Sequence, residues 1–331
     1  MDAGRVAVFV LAAAISLGAS AVLVTRLERI GARLGLTEAM LGVLAALAAD
    51  TPEIASAVTA LARGERAVGV GVIFGSNAFN LAALLGLSAV VAGSIRFHRR
   101  VVLFEGTVAC AMAAVSLAVV LGWLPAAGGL VVALAVVVPY LIVTATSLPG
   151  LRRLPLPERW RAWLSGTLRE EETELAPAIH PRRGGAPDVA GAVVSLAVVV
   201  GASTVMERTG SAIGNDLGWT SIVIGGVLLA AVTSLPNAVA AVYLASRGRG
   251  AATLSVALNS NTLNVLAGFL IPAVIVGAFA TAAGTVLAVA WYAGMTALTL
   301  VLAFAGRGLD RRSGPVVIAA YFLFVVMLVR A

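Results

Sequence analysis

The stretch "GVLAALAADTPEIASAVTALARGERAVGVGVIFGSNAFN", Gly42–Asn80, recurs as "GVLLAAVTSLPNAVAAVYLASRGRGAATLSVALNSNTLN", Gly226–Asn264. The two align without a gap at a constant offset of 184, with 14 identities in 39 positions. Shared apolar composition supplies some Ala and Val matches. It does not supply Pro52/Pro236, Arg63/Arg247, Gly64/Gly248, Ser76/Ser260, Asn77/Asn261 and Asn80/Asn264 in register. The similarity continues upstream at an offset of 183. Gly18–Ser20 matches Gly201–Ser203, and Ile30, Gly31, Leu34, Gly35 and Thr37 match Ile213, Gly214, Leu217, Gly218 and Thr220. A repeat of this length organises a whole fold. The first apolar stretch has a partner in the second half, so it reads as part of the mature fold rather than as a removed signal segment.

Outward from the repeat, the 331 residues are 60% hydrophobic and 12% charged. Apolar runs lie at roughly 5–25, 38–62, 67–92, 101–121, 127–147, 188–206, 220–245, 251–277, 282–305 and 314–330, many of them as long as a bilayer crossing needs. The fold class is therefore an all-α polytopic membrane protein of ten transmembrane helices, since a barrel would show weak alternation instead. Each half holds five helices. An odd number sends the halves into the membrane from opposite sides, giving two inverted five-helix repeats, 1–147 and 188–331, joined by a loop at 148–187. Inverted repeats with interrupted helices and a site at the midplane are the pattern of secondary transporters.

All 23 basic residues are Arg and the formal net charge is +7. They sit in the connections: with the N-terminus outside, the inside connections hold 18 and the outside holds five, Arg5, Arg63, Arg66, Arg208 and Arg330. This asymmetry is a topology signal. It places both termini outside and loop 148–187 in the cytoplasm, in the inner (plasma) membrane of a prokaryote whose composition suggests a GC-rich genome. The lipid bilayer is the partner this implies, and no nucleic acid is. Cys110 stands alone, so no disulfide and no thiolate metal site is expected.

Asp50 and Glu53 lie about twelve residues into a 25-residue span, near the bilayer centre at ~1.5 Å per residue. An acid at that depth marks a functional site by default. Pro52 lacks an N–H and clashes with the preceding turn, so the helix is expected to break or kink just before it and free carbonyls around Leu47 and Ala48; Pro236 is expected to do the same around Ala231 and Val232. In the next helix of each half, Ser76 and Asn80, and Ser260 and Asn264, are four apart and share a face. Carboxylate, hydroxyl, amide and backbone oxygens without His or Cys suit hard cations such as Ca²⁺, Na⁺ or Mg²⁺. The other acids are expected at helix ends, with Glu105 reaching the cytoplasmic interface.

These motifs resemble the cation/Ca²⁺ exchanger superfamily, in particular prokaryotic sodium/calcium exchangers, whose two repeats each carry a "GTSLPE"-like segment followed by "GSNxFN" or "GSNxFD". The resemblance covers both repeats, with motifs at 42–80 and 226–264. It implies that Glu53 is the acidic ligand of the first repeat, with Ser76 and Asn80 following. In the second repeat "TSLP" is intact, so Thr233 and Ser234 match the family's hydroxyl and backbone ligands, and Ser260 matches the second serine. Two positions depart: the family's second glutamate is here Asn237, and an acid often found later is Asn264. The first "GTS" reads Ala48-Ala49-Asp50, so negative charge has moved into the first repeat. The resemblance implies alternating access, with the first and sixth helices sliding and Ca²⁺ competing with Na⁺ for Glu53 and its neighbours. With fewer acids, H⁺ or another monovalent cation is an alternative counter-ion, and Asp50 and Glu53 would titrate as a coupled pair. No cofactor is implied.

In the loop, Trp160, Trp163 and Leu164 among Arg159 and Arg161 read as a short interfacial helix. The acidic run Arg169–Glu174 reads as a solvated face and His180, between prolines, as linker. Two other functions remain compatible with the residues: an intramembrane acid/base enzyme using Asp50 and Glu53, and an ion-binding protein that has lost transport, suggested by Asn237 and Asn264. The enzyme does not need Ser–Asn sites duplicated in inverted repeats.

Overall fold

A computed structural model describes residues 3–146, 148–151, 157–175, 184–277 and 283–331. In chain order the helices are α1 (Ala3–Leu34), α2 (Glu38–Ala49), α3 (Thr51–Ala62), α4 (Arg66–Ala92), α5 (Arg99–Val120), α6 (Ala126–Ala145) and α7 (Glu158–Leu175). After the loop come α8 (Ala186–Asp216), α9 (Ser221–Ser246), α10 (Gly250–Val276), α11 (Ala283–Gly306) and α12 (Ser313–Arg330). Among the described residues nine helices are long and apolar enough to cross a membrane, and α2 with α3, bent by 50°, makes a tenth. The ten runs read from the sequence thus all correspond to spans. His180 lies outside the described residues.

The first and sixth runs extend further than their apolar stretches. α1 and α8 lie antiparallel along each other and stay helical past the apolar limit, with ion pairs between them at both ends. Arg26 and Arg29 reach Asp188 at 2.7 and 3.4 Å, and Arg5 reaches Asp216 at 2.8 Å. Midway, the Ser16 and Ser203 hydroxyls are 2.7 Å apart.

Thr37 caps α2, accepting from the Met40 N–H at 3.2 Å. The turns after α3 and α9 end on Gly64 (φ +80°) and Gly248 (φ +74°), a left-handed conformation that favours glycine and accounts for the repeated Arg-Gly. Two short strands, β1 (Ser94–Arg96) and β2 (Gly308–Asp310), pair antiparallel with Ile95 opposite Leu309 and tie the end of α4 to the α11–α12 turn. Three residues each is too short for a periodic signal, and the apolar pattern gave no sign of them.

The loop helix α7 does more than lie at an interface. Leu164 and Leu168 are buried with Leu151 against the start of α5, where the Trp163 ring meets Phe104 at 6.3 Å, while Trp160 is half exposed. The side chains of the acidic run from 170 onward lie outside the described residues. Glu105, expected at the interface, is buried instead. Only 2% exposed, it accepts from Ser255 Oγ at 2.7 Å and lies 3.3 Å from the Tyr140 hydroxyl, itself 2.6 Å from Asn259 Oδ1. Partners from α6 and α10, rather than water, surround a residue nearly two turns into α5.

The core is built on α4, enclosed on nearly all sides, with α9 and α10 against it. Backbones approach closely where glycines meet: a Cβ on Gly75 would overlap the Gly226 backbone, and one on Gly71 would come within 2.8 Å of Gly226 N. Small residues let membrane helices pack this tightly. Gly75→Ala is expected to push α4 from α9 and destabilise the bundle by about 1–3 kcal/mol. A thermal-unfolding midpoint unchanged from the parent in the same detergent would contradict this packing.

Candidate ion-binding site

Asp50 occupies the break between α2 and α3, and Glu53 the first turn of α3, with Pro52 between them in the position where a proline's missing N–H is harmless. Both carboxylates are fully buried. The second repeat supplies their partners. Glu53 Oε1 accepts from Ser234 Oγ at 2.5 Å and Oε2 from Asn264 Nδ2 at 2.6 Å. Asp50 Oδ1 accepts from Asn237 Nδ2 at 2.7 Å and from Ser260 Oγ at 2.6 Å. Asp50 and Ser234 are repeat equivalents, as are Glu53 and Asn237, so the Ser234–Glu53 and Asn237–Asp50 bonds are one contact made twice about the pseudo-two-fold axis. The Asp50 carboxylate therefore meets the side chain that stands where the resemblance expects a glutamate.

The α4 and α10 motifs cross beneath these acids. Asn77 Nδ2 donates to the Asn261 carbonyl at 3.3 Å and Asn261 Nδ2 to the Asn77 carbonyl at 3.1 Å. Asn80 Nδ2 donates to Asn261 Oδ1 and Asn264 Nδ2 to Asn77 Oδ1, both at 3.1 Å. Asn80 Nδ2 also reaches Ser260 Oγ at 3.1 Å. Asn77 and Asn261 received no role from the sequence, although their identity in both repeats was the available signal. Directly after these motifs both helices widen into π turns, at Leu81–Leu87 and Asn264–Leu270, a feature that recurs at functional sites.

The structure brings Asp50, Glu53, Asn80, Ser234, Asn237, Ser260 and Asn264 into one network. Ser76 is buried nearby without joining it. Thr233 is buried but its hydroxyl donates to Leu229 O at 2.9 Å in its own helix. The carbonyls expected to be freed by Pro52 are covered: Thr51 Oγ1 donates to Leu47 O at 3.0 Å, and Ser20 Oγ to Ala48 O at 2.9 Å. At Pro236 the helix is not interrupted, and α9 continues through it. Hydroxyls compensating for lost backbone bonds are the usual way a membrane helix tolerates proline.

Four buried oxygens in this region make no hydrogen bond among the described residues: Asp50 Oδ2, Ser76 Oγ, Asn80 Oδ1 and Asn264 Oδ1. Unsatisfied buried acceptors are rare and unfavourable, and a cation would satisfy them. Among the described residues no three His, Cys, Asp or Glu side chains cluster as a metal site, so any ion here meets two carboxylates supplemented by neutral oxygens. A vestibule of about 580 Å³ reaches this network, with Ser20, Ala49, Asn237 and Ser260 at its inner end and Glu28 and Arg247 among its walls. It opens toward the face that carries α7, here the loop face.

A family model described as sodium/calcium exchanger protein matches residues 5–148 and 188–330. A search of curated proteins by sequence returned no match. Among solved structures, the chain is similar to the H⁺/Ca²⁺ exchanger CAX (TM-score 0.71, 12% identity, covering 98% of this chain and 86% of that one). It is similar to native YfkE (0.63, 16%, 98% and 92%) and to the sodium-calcium exchanger NCX_Mj (0.62, 19%, 97% and 97%). At these identities the likeness is one of fold.

Asn77→Ala removes the donor to the Asn261 backbone carbonyl and one of the two acceptors of Asn264 Nδ2, while Asn261 Nδ2 keeps its bond to the carbonyl of residue 77. The expected loss is about 1–3 kcal/mol for each buried group left unpaired, read as a lower unfolding midpoint. An unchanged midpoint would show that the four asparagines do not hold the repeats together.

Proposed function

Since the chain belongs to the sodium/calcium exchanger protein family, we propose that it is a secondary active cation antiporter that exchanges Ca²⁺ for Na⁺ by alternating access. The family is one of transporters rather than enzymes. The observation that carries the reading is the pair of buried carboxylates held by the opposite repeat, beside four oxygens without partners. In this reading the ion ligands come from Asp50, Glu53, Ser76, Asn80, Thr233, Ser234, Asn237, Ser260 and Asn264. Hydroxyls and amides that now donate to the carboxylates would rotate and present oxygen to an entering cation.

The charge arithmetic follows from the residues. Two carboxylates balance one Ca²⁺ or two monovalent cations, so exchange at this site is electroneutral. A second counter-ion, H⁺, is supported by the departure of Asn237 and Asn264 from acids, and the structurally similar CAX is an H⁺/Ca²⁺ exchanger. Residues 1–147 and 188–331 act as the two repeats around the site. The loop face is cytoplasmic on the Arg distribution, with both termini on the other side of a prokaryotic plasma membrane. α1 and α8, paired at the periphery, are the elements placed to slide.

The test is uptake of radiolabelled Ca²⁺ into proteoliposomes driven by an outward Na⁺ or H⁺ gradient. Na⁺-driven uptake that is insensitive to a clamped membrane potential is expected, and Glu53→Gln should reduce it to the level of empty liposomes. No uptake with either gradient would refute the antiporter, and uptake surviving Glu53→Gln would refute the site. A charge relocation tests Asp50 separately. Asp50→Ser is expected to abolish uptake, and adding Asn237→Glu, which returns an acid across the same contact, is expected to restore it. Failure of that rescue in a folded double variant would show that Asp50 does not stand in for the missing glutamate.

A further inference from the structure

The two faces of the bundle are closed to different degrees, and the repeat identifies the residues responsible. Away from the loop face, α3 and α8 are joined by side chains. Arg63 Nη1 lies 3.2 Å from Glu207 Oε2, whose side chain is fully buried and whose Oε1 accepts from Ser211 at 3.1 Å. Arg63 Nη2 also meets Glu65 at 2.9 Å, and the hydroxyls of Thr59 and Thr204 are 3.2 Å apart.

By the offsets of 184 and 183, Thr59 corresponds to Tyr243, Arg63 to Arg247, Thr204 to Ala21 and Glu207 to Val24. All four counterparts line the open vestibule. Ser56 of α3 is fully buried, whereas its counterpart Ala240 is exposed in the vestibule wall. The same joint is thus shut on one face and parted on the other. Where it is parted the acid is replaced by Val24, and Arg247 stacks on Tyr243 of its own helix, 5.1 Å from the ring centre. The acid of α1 that lines this vestibule, Glu28, lies one turn further along and corresponds to Ser211.

We propose that Arg63 and Glu207 form a latch that holds the face away from the loop shut, and that Val24 in place of the acid leaves the loop face without its equivalent. A bidentate role for Arg63, on Glu207 and Glu65, and burial of the Glu207 carboxylate both depend on α3 and α8 being together. Parting them breaks the pair, which joins the buried Glu207 carboxylate to a guanidinium that is 39% exposed, together with the Thr59–Thr204 contact beside it. The asymmetry of one acid biases the exchanger toward the state open at the loop face, whichever ion it carries.

The test is the rate at which a membrane-impermeant maleimide labels single cysteines in the full chain in nanodiscs, in a Cys110→Ala background. Ser56→Cys reports access from the latched face and Ala240→Cys access through the vestibule. The parent is expected to label fast at 240 and slowly at 56. Glu207→Gln or Arg63→Ala should raise the rate at 56 about tenfold and lower that at 240, as a shifted two-state population requires. A folded Glu207→Gln protein with an unchanged rate at 56 overturns the latch. If neither variant folds, Val24→Glu decides: it sets a carboxylate in the equivalent register opposite Arg247, and should slow labelling at 240 several-fold. An unchanged rate there overturns the proposal. Labelling needs no transported ion, so its failure is separate from failure of the ion site.

Discussion

The hydrogen bonds that cross from one repeat to the carboxylates of the other are the interaction that organises everything around it. Two acids buried in an apolar bundle are strongly unfavourable unless donors meet them. Among the described residues, the side chains donating to Asp50 and Glu53 come from α9 and α10. That requirement ties α3 to α9 and α10, while the asparagines hold the crossing of α4 with α10. Beside it, glycines let the α4 and α9 backbones come into direct contact.

The duplicated frame then turns small sequence differences into functional ones. Ser234 and Asp50 are equivalent positions, as are Asn237 and Glu53, so one geometry serves two chemistries on its two sides. Negative charge is concentrated on the first repeat while the second supplies hydroxyls and amides. The same logic operates away from the midplane, where Glu207 and Val24 are equivalent and only the acid forms an ion pair. Symmetry sets which residues can meet, and its local breaking sets which state is held.

Much of this was legible in the sequence because the signals were of the kind a sequence carries. Ten apolar runs, the gapless repeat and the Arg asymmetry needed only periodicity, identity and charge. The acids, serines and asparagines of the network stood out because each is unfavourable in a membrane span. What was not legible depended on neighbours in space. Glu105 looked interfacial because its position in α5 was visible and its partners Tyr140 and Ser255, distant in sequence, were not. The carbonyls released by Pro52 looked free because Ser20, 28 residues away, gave no hint of reaching them. Pro236 looked like a break or a kink, and the helix carries on through it without a break. Asn77 and Asn261 were visible as repeated letters, but their reciprocal bonding is a property of the crossing, which sequence spacing does not state.

Two carboxylates from one repeat, positioned by the other, should act together on a single divalent ion. Calorimetric titration of the detergent-purified chain with Ca²⁺ at neutral pH, in parallel with Asp50→Asn and Glu53→Gln, measures this directly. One Ca²⁺ per parent chain is expected, with no measurable binding by either single variant, because each removes half the neutralising charge from one shared site. Binding of two ions per chain, or parental affinity retained in either variant, is incompatible with a shared site.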